Sequence, residues 1–294
     1  MKGRLKRAGL RLLRGLGYDV GRLYPGAAVV TRRDRGAAEA KRPAWILEEQ
    51  RIFEHLQRVQ LPALLELYGV NCVIDVGAHA GQYGERLRAG GYRGRIVSFE
   101  PTPGGFDALA RTAAGDPRWE VHRLALGRED GATTMNVVPG TLSSLLPPTK
   151  FGAGRYPKLQ AAEQVEVEVR RLDGLLDGLL EGLRGPRPFL KLDTQGFDLD
   201  VFAGAGESVQ QFVGIQSEVA LMEIYRGMPR MPEAVAAYEA AGFEIAALYP
   251  VSRQTRTARV LEYDCVMVRA SALGKKRGQR ETRLGRDAVD PPCG

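Results

Sequence analysis

The chain has 294 residues, of which 44% are hydrophobic and 26% are charged. This composition is typical of a globular protein with one large domain plus extensions, and no apolar run is long enough to predict a membrane-spanning helix. The three cysteines, Cys72, Cys265 and Cys293, are widely spaced and form no CxxC pair. They predict neither a disulfide framework nor a zinc site, and a cytoplasmic location fits best.

The net charge of +7 is distributed unevenly along the chain. Residues 1–44 contain 12 Lys and Arg against three acidic residues, and residues 273–294 contain six against three. The part between them has 24 basic and 29 acidic residues, so it offers no broad surface for phosphates. We therefore expect no nucleic-acid partner. The chain divides into a basic N-terminal arm (1–44), a folded domain (45–270) and a basic, disordered C-terminal tail (271–294).

The N-terminal arm is expected to be partly helical or disordered. A helix would place Leu5, Ala8, Leu12 and Leu16 on one stripe with Lys and Arg around it. This pattern is typical of a helix that lies on an anionic membrane, which would make the protein peripheral to the inner face of the membrane. A disordered basic tail explains the composition at least as well, and a transit peptide is a third reading.

From residue 70 onward, apolar runs alternate with helix-like segments. Seven runs predict core strands: 72–77, 94–101, 119–126, 187–196, 212–219, 242–250 and 259–270. Strands that are apolar throughout and alternate with helices favour a mainly parallel sheet with helices on both faces. The last two runs lie too close for a helical crossover, so the last strand should be antiparallel. We therefore predict an α/β, Rossmann-like fold with a seven-stranded sheet, similar to that of class I methyltransferases.

Two further alternating runs, ATTMNVV and QVEVEVRRL, are expected to pair outside the main sheet. The segment between them, residues 138–160, has Gly and Pro at both ends. This composition suits a lid that closes over a substrate, although an ordinary surface excursion is the alternative.

Residues 73–84 read VIDVGAHAGQYG. The dinucleotide fingerprint G-x-G-x-x-G is broken here, because His79 stands two positions after Gly77. The pattern D-x-G-x-x-x-G instead resembles the first motif of S-adenosylmethionine (SAM) binders. Gly77 and Gly81 are expected to let the backbone approach the methionine part of SAM, and Asp75 to engage its ammonium group, directly or through water. The free amides at the start of the next helix can receive its carboxylate.

Glu100 follows the second predicted strand, where a carboxylate can accept hydrogen bonds from both ribose hydroxyls of an adenosine ligand. NAD binders use an acid in the same place, so the broken glycine fingerprint is what favours SAM. The alternative is a structural turn with an exposed Glu. The predicted SAM-binding residues are Asp75, Gly77, His79, Gly81, Gln82, Tyr83, Glu100, Pro101 and Ala125.

Several motifs extend this similarity over residues 70–270. They are VIDVGAHAGQYG, VSFEPTPGGFDAL, ALGREDGATTMNV, SSLLP, RLDGLL, FLKLDTQGFDLDVFAGA, SEVALMEIYRGMP and YDCVMVR, in this order. Together they resemble the FkbM-type methyltransferase family, and the most specific part is K-x-D-x-Q-G-F at 191–197. The resemblance implies SAM-dependent O-methylation of a hydroxyl, often on sugars, glycolipids or polyketide-type metabolites. The family loop often has Asn where this chain has His79.

The candidate catalytic residues are Asp193, Glu218 and Lys191. The fourth strand should deliver Asp193 beside the reacting methyl, where a general base is useful because a hydroxyl is a poor nucleophile until its proton leaves. Asp193 could instead cap the helix that opens at Gly196, or bind the ammonium of SAM. Glu218 is the second candidate base, and Lys191 could orient Asp193, contact an acidic substrate or form a buried ion pair. Three scattered histidines have no metal-ligand spacing, and no metal site is predicted, although Asp193 and Glu218 could share a magnesium ion. His79 could accept a proton above the SAM loop, but the favoured reading is that it only shapes that loop.

The sequence thus predicts a SAM-dependent O-methyltransferase that acts on a hydroxyl of a glycan, glycolipid or secondary metabolite. The acceptor partner would be a small molecule or glycan, and the oligomeric state stays open. An RNA or protein methyltransferase is the alternative within enzymes. The acidic charge of the domain and the absence of an NPPY-like motif disfavour the RNA reading. A catalytically silent SAM-binding scaffold protein is the alternative from another class.

Overall fold

The computed structural model describes residues 18–24, 27–32 and 44–273. The strands are β1 (Tyr18–Tyr24), β2 (Ala27–Arg32), β3 (Cys72–Val76), β4 (Arg95–Phe99), β5 (Trp119–His122), β6 (Ala125–Leu126), β7 (Gly131–Val137), β8 (Glu163–Arg170), β9 (Pro188–Leu192), β10 (Gly214–Ala220), β11 (Glu244–Arg253) and β12 (Val260–Val268). The α-helices are α1 (Ala44–Leu67), α2 (Gln82–Ala89), α3 (Pro103–Ala113), α4 (Lys150–Arg155), α5 (Asp173–Leu180), α6 (Asp198–Gly204) and α7 (Met231–Ala240). Short 3-10 helices span Pro157–Ala161, Gly206–Gln211 and Ala270–Ala272.

The main sheet has seven strands in the order β11-β12-β10-β9-β3-β4-β5. Strands β5, β4, β3, β9 and β10 run parallel to one another. Strand β12 is antiparallel to both β10 and β11. The predicted α/β, Rossmann-like class I methyltransferase fold with an antiparallel last strand is confirmed. The strand order reverses between β3 and β9, so a crevice opens at their carboxyl ends.

Helices cover both faces of this sheet because its central strands are apolar on both sides. All five residues of β3 and all five of β9 are buried. On one face, the core includes Leu176 of α5, Val201 of α6 and Tyr238 of α7. On the other face, it includes Leu65 of α1 and Leu109 of α3. This burial supplies the main favourable term for folding.

A second sheet has three strands in the order β6-β8-β7. Strands β7 and β8 are antiparallel, which confirms that the two extra runs pair outside the main sheet. The prediction of a single strand over 119–126 is wrong. Its first part pairs with β4 up to His122, whereas Ala125 and Leu126 pair with β8 in the second sheet. The residues between them carry the chain from one sheet to the other.

Two described segments of the N-terminal arm, residues 18–24 and 27–32, form an antiparallel hairpin, in which Tyr18 pairs with Arg32 and Val20 with Val30. The stripe from Leu5 to Leu16 and the tail from residue 274 onward lie outside the described residues. Contact between the arm and a membrane therefore stays a prediction. Among the residues that the structure describes, no helix is long and apolar enough to cross a bilayer.

Candidate active site

A cavity of about 930 Å³ lies beyond the carboxyl ends of β3, β4 and β9. Its position is the one where open α/β sheets bind their ligands. The predicted site residues that line it are Gly77, His79, Gln82, Tyr83, Glu100, Pro101, Ala125, Lys191 and Asp193. Asp75, Gly81 and Glu218 are not among the lining residues. The structure therefore brings most of the predicted site together and separates three residues from it.

The Glu100 carboxylate is held by three protein donors at the edge of the cavity. Its Oε1 accepts hydrogen bonds from the Thr102 amide at 2.9 Å and from the Thr102 hydroxyl. Its Oε2 accepts one from the amide of His79 at 2.9 Å. A carboxylate has about four acceptor sites, so one site on Oε2 is free. One acceptor site of Glu100 is thus left for a ligand, whereas the sequence suggested two hydrogen bonds to a ribose.

His79 contributes through its backbone as well as its ring. It has a φ of 49°, which lies in the left-handed region where Asn, Asp and His are the commonest non-glycine residues. This explains how His79 can occupy a loop position where the family often has Asn. The bend aims the His79 amide at Glu100, and the Gln82 side chain lies 3.3 Å from the ring Nδ1.

Gly77 and Gly81 have positive φ angles, and neighbouring protein atoms leave little room for a side chain at either position. The need for glycine therefore does not come from space that a ligand would fill. A Cβ on Gly77, whose φ is 77°, would lie 2.0 Å from the carbonyl oxygen of Asp193. A Cβ on Gly81, whose φ is 88°, would lie 3.0 Å from Thr112 of α3. The expectation that these two glycines make room for SAM itself is therefore corrected. They let the loop pack closely enough to shape the cavity.

Asp75 is an ion-pair partner inside the protein rather than an exposed group at the cavity. Its side chain is 0% exposed, and its Oδ1 lies 2.9 Å from the ammonium of Lys191. Ser98 Oγ donates to the other carboxylate oxygen at 3.2 Å. Because parallel pairing sets Asp75 beside Lys191, the carboxylate is already neutralised. A direct contact between Asp75 and the ammonium of SAM is therefore not available in this arrangement.

Lys191, the cation of this buried ion pair, also lines the cavity. Its Nζ donates to the Gly77 carbonyl at 3.3 Å, lies 3.6 Å from Asp193 Oδ2, and sits 5.2 Å from the ring centre of Tyr83. Burial lowers the pKa of Lys191, but Asp75 and then Asp193 outweigh it, and the pKa is raised above its usual range. Lys191 is therefore a permanent cation, and of its predicted roles the buried ion pair is the one observed.

Asp193 presents an accessible carboxylate to the cavity, since 41% of its side chain is exposed. The interpretation of Asp193 as a helix cap is wrong, because no side chain caps the start of α6. The nearby turn is held instead by Asp198, which accepts hydrogen bonds from the Thr194 amide and from Ser217 Oγ, each at 2.8 Å. Asp193 is thus left available for a ligand.

Glu218 is half-buried behind Asp193 and is joined to it by Gln195. The Gln195 Nε2 donates to Asp193 Oδ1 at 3.0 Å and to Glu218 Oε2 at 2.9 Å. Burial raises the pKa of Glu218 well above its usual range, and Glu262, Asp193 and other nearby carboxylates add to the effect. Asp193 is the better placed of the two candidate bases because it lines the cavity.

Comparison with known proteins identifies the family of the chain. The methyltransferase FkbM domain matches residues 75–245. The chain belongs to the FkbM methyltransferase family. It is therefore a SAM-dependent methyltransferase, as the sequence predicted. Methyltransferase sdnD of Sordaria araneosa is 27% identical over 199 residues, which cover 59% of this chain and 73% of sdnD.

Two solved structures are similar to this FkbM methyltransferase. One is magnesium protoporphyrin IX methyltransferase from Synechocystis with bound SAM, at 11% identity and a TM-score of 0.41, covering 78% of this chain and 85% of that one. The other is Aeropyrum pernix fibrillarin with natively bound SAM, at 12% identity and a TM-score of 0.40, covering 86% of this chain and 94% of that one.

The second sheet of this methyltransferase gives the cavity an apolar wall. Met135 and Val137 of β7 and Val165 of β8 line it, and the segment after β7 adds Leu145. Alternation along β8 turns Glu166 and Glu168 to the other face, where both are exposed, whereas Glu163 lines the cavity on the same side as Val165. The sequence predicted these strands but not their place at the site. The signal was the regular alternation of Val and Glu along 165–169.

The predicted lid, residues 138–160, contributes to the same side of the cavity through Val138, Ser143 and Leu145. It is anchored at its far end, where the Thr149 amide donates to the Ile224 carbonyl at 2.9 Å. Closure of this segment over a substrate stays a prediction.

The other histidines lie away from the reaction centre. His122 stacks on Phe99 at 5.0 Å and contacts Glu120 at 2.7 Å, whereas His55 is exposed on α1. In the described part of the chain, no group of three or more His, Cys, Asp and Glu side chains is arranged to hold a metal ion.

Proposed function

We propose that this protein transfers the methyl group of SAM to a hydroxyl of a glycan, glycolipid or secondary metabolite, with Asp193 as the general base. The observation that carries the proposal is the accessible carboxylate of Asp193 inside the same cavity as Glu100. When bound, SAM supplies an electrophilic methyl group, whose transfer leaves S-adenosylhomocysteine.

The residues around the cavity fit SAM. The free acceptor site on Glu100 Oε2 suits a ribose hydroxyl, and Gln82 and Tyr83 at the start of α2 stay the predicted partners of the methionine carboxylate. Pro101 and Ala125 offer an apolar surface beside Glu100, which suits the adenine ring. The ring nitrogens and the ammonium would find their partners in the backbone of the same loops.

Asp193 would accept the proton of the acceptor hydroxyl as the new carbon–oxygen bond forms. A positioned base of this kind contributes about 10²–10⁴-fold to a rate. Lys191 and Gln195 hold the two oxygens of the carboxylate, so its direction is fixed before the acceptor arrives. The enzyme otherwise has to align the acceptor oxygen with the methyl group, and a shaped cavity does this.

The apolar wall supports an acceptor that carries an apolar body next to its hydroxyl. Met135, Val137 and Val165 could bury aliphatic groups, and each CH₂ removed from water contributes about 0.8 kcal/mol. Glycolipids and apolar secondary metabolites meet this requirement better than a free sugar.

The proposal is tested by measuring the release of S-adenosylhomocysteine with a panel of acceptors at equal concentration. The panel contains methyl β-glucoside, octyl β-glucoside below its micellar concentration, an aliphatic polyketide alcohol, a structured RNA and a Lys- and Arg-containing peptide. We expect turnover with hydroxyl acceptors, and faster turnover with the octyl than with the methyl glucoside. Turnover confined to the RNA or the peptide would contradict O-methylation, and no turnover with any acceptor would favour a silent SAM-binding protein.

A second prediction concerns the cofactor contact. Glu100→Gln replaces a charged acceptor by an amide and should weaken SAM binding by about 1.5–3 kcal/mol, the usual value of a hydrogen bond to a charged group. Isothermal titration calorimetry measures this change. The control is Thr102→Val, which removes a hydroxyl bond to Oε1 but leaves the free site on Oε2, and should bind SAM nearly as the wild type does. Wild-type affinity in a folded Glu100→Gln protein would remove the ribose assignment.

A further inference from the structure

Gln195 occupies a strained position in the turn between β9 and α6. Its φ is 54°, in the left-handed region that residues other than Gly and Asn rarely adopt. Its backbone is held there by Ser144, which is fully buried and whose hydroxyl donates to the Gln195 carbonyl at 2.8 Å. Such strain persists only where the surrounding structure enforces it, and it is concentrated at functional sites.

The strained backbone aims the Gln195 amide between two carboxylates. Nε2 donates to Asp193 at 3.0 Å and to Glu218 at 2.9 Å, so both of its hydrogens are used. Facing two carboxylate oxygens fixes which end of the amide is the nitrogen. The Tyr225 hydroxyl lies 3.2 Å from the amide oxygen on the other side. Gln195 is therefore a clamp between the ends of β9 and β10.

The Gln195 amide also affects the electrostatics of the site, because many ionisable groups surround Asp193. The ionisable groups around it are Lys191 on its own strand, Asp75 on β3, Asp198 on α6, Glu218 on β10, and Glu262 and Asp264 on β12. The Gln195 amide separates the facing carboxyl oxygens of Asp193 and Glu218 and gives each of them a donor, so the two groups can lie side by side. Lys191 holds one carboxylate oxygen of Asp193. A second donor is needed to fix the direction of the other carboxylate oxygen.

The geometry points to Gln195 as a positioning residue, whose amide holds the Asp193 carboxylate in the direction of the methyl group of bound SAM. This inference rests on the proposed role of Asp193 and adds to it the residue that sets its orientation. Gln195 is the Gln of the K-x-D-x-Q-G-F motif, but the sequence does not predict this role, since it depends on a backbone angle and on two strands that are distant in the chain.

The test uses sinefungin, a SAM analogue that carries an amino group where SAM carries its methyl group. A carboxylate aimed at the methyl position should make the wild type bind sinefungin more tightly than S-adenosylhomocysteine. Gln195→Gly should reduce this preference about tenfold, the equivalent of one weakened charged hydrogen bond, with the affinity for S-adenosylhomocysteine unchanged. Calorimetry gives both affinities without requiring an acceptor. Because glycine accepts a φ of 54° without strain, the variant should melt at or above the wild-type temperature.

Three further variants make the outcome decisive. Gln195→Asn also suits the backbone but is too short to bridge both carboxylates, so it should lose the preference as Gln195→Gly does. Ala258→Gly relieves a similar angle, φ 58°, outside the cavity and should keep the preference. Asp193→Asn should abolish it. If both Gln195 variants keep the wild-type preference, the positioning role is wrong. If the wild type itself shows no preference, the placement of Asp193 at the methyl position fails, and the role of Gln195 fails with it.

Discussion

Asp193→Asn should lower turnover by about 10²–10⁴-fold while SAM affinity changes little. Asparagine keeps the shape of the side chain and one acceptor oxygen for Gln195, but it cannot take the proton of the acceptor hydroxyl. Single-turnover rates at saturating SAM, measured with the best acceptor of the panel, give the first quantity, and calorimetry gives the second. The size of the effect makes it distinct from any loss of stability.

The same variant separates the two roles that stay open for Asp193. If the carboxylate binds the ammonium of SAM, Asp193→Asn should weaken SAM binding and leave turnover at saturating SAM nearly unchanged. The matched control is Asp200→Asn, the same change on α6 at a residue that pairs with Arg128 outside the cavity. It should behave as the wild type in both measurements. Unchanged values for Asp193→Asn would move the search for the base to Glu218 or His79.

Lys191→Met should lower the free energy of unfolding by about 3–5 kcal/mol. The substitution leaves Asp75, which is fully buried, as a charge without its cation, and breaking a buried ion pair has an effect of this size. Urea denaturation followed by circular dichroism measures it. A surface control is Lys158→Met, which removes only an exposed hydrogen bond to the Pro139 carbonyl and should change stability little.

A double variant shows whether the loss comes from the unpaired charge. Lys191→Met combined with Asp75→Asn has no buried ion left, so it should be more stable than Lys191→Met alone. If the single variant is as stable as the wild type, or if the double variant is no better than the single one, the ion pair does not have the structural role described here.

The fold could be predicted from sequence because the apolar runs are long and their spacing is informative. The gap of six residues between β11 and β12 is too short for a helical crossover, so the last strand had to be antiparallel. The break between β5 and β6 could not be predicted, because WEVHRLAL contains no Gly or Pro to mark where the chain leaves the sheet. The pairing partner of each half is decided by distant strands.

The site was predictable where a residue's place depends on its own strand. Glu100 and Asp193 follow the ends of strands and both line the cavity. Asp75 was placed correctly at a strand end, but its role depends on Lys191 of the adjacent strand, and the register between strands cannot be read from either segment. The role of Gly77 also depends on a residue that is distant in the chain, because the carbonyl oxygen of Asp193 excludes a side chain at this position.

The most direct test of the central claim is to identify the atom that receives the methyl group. The wild-type protein is incubated with SAM labelled with ¹³C in its methyl group and with the preferred acceptor, and the product is analysed by NMR. We predict a labelled methoxyl carbon on the acceptor, formed by the wild type and by Asp200→Asn at similar rates and much more slowly by Asp193→Asn. A label on nitrogen or sulfur, or a methoxyl product formed equally fast without the Asp193 carboxylate, would contradict the account.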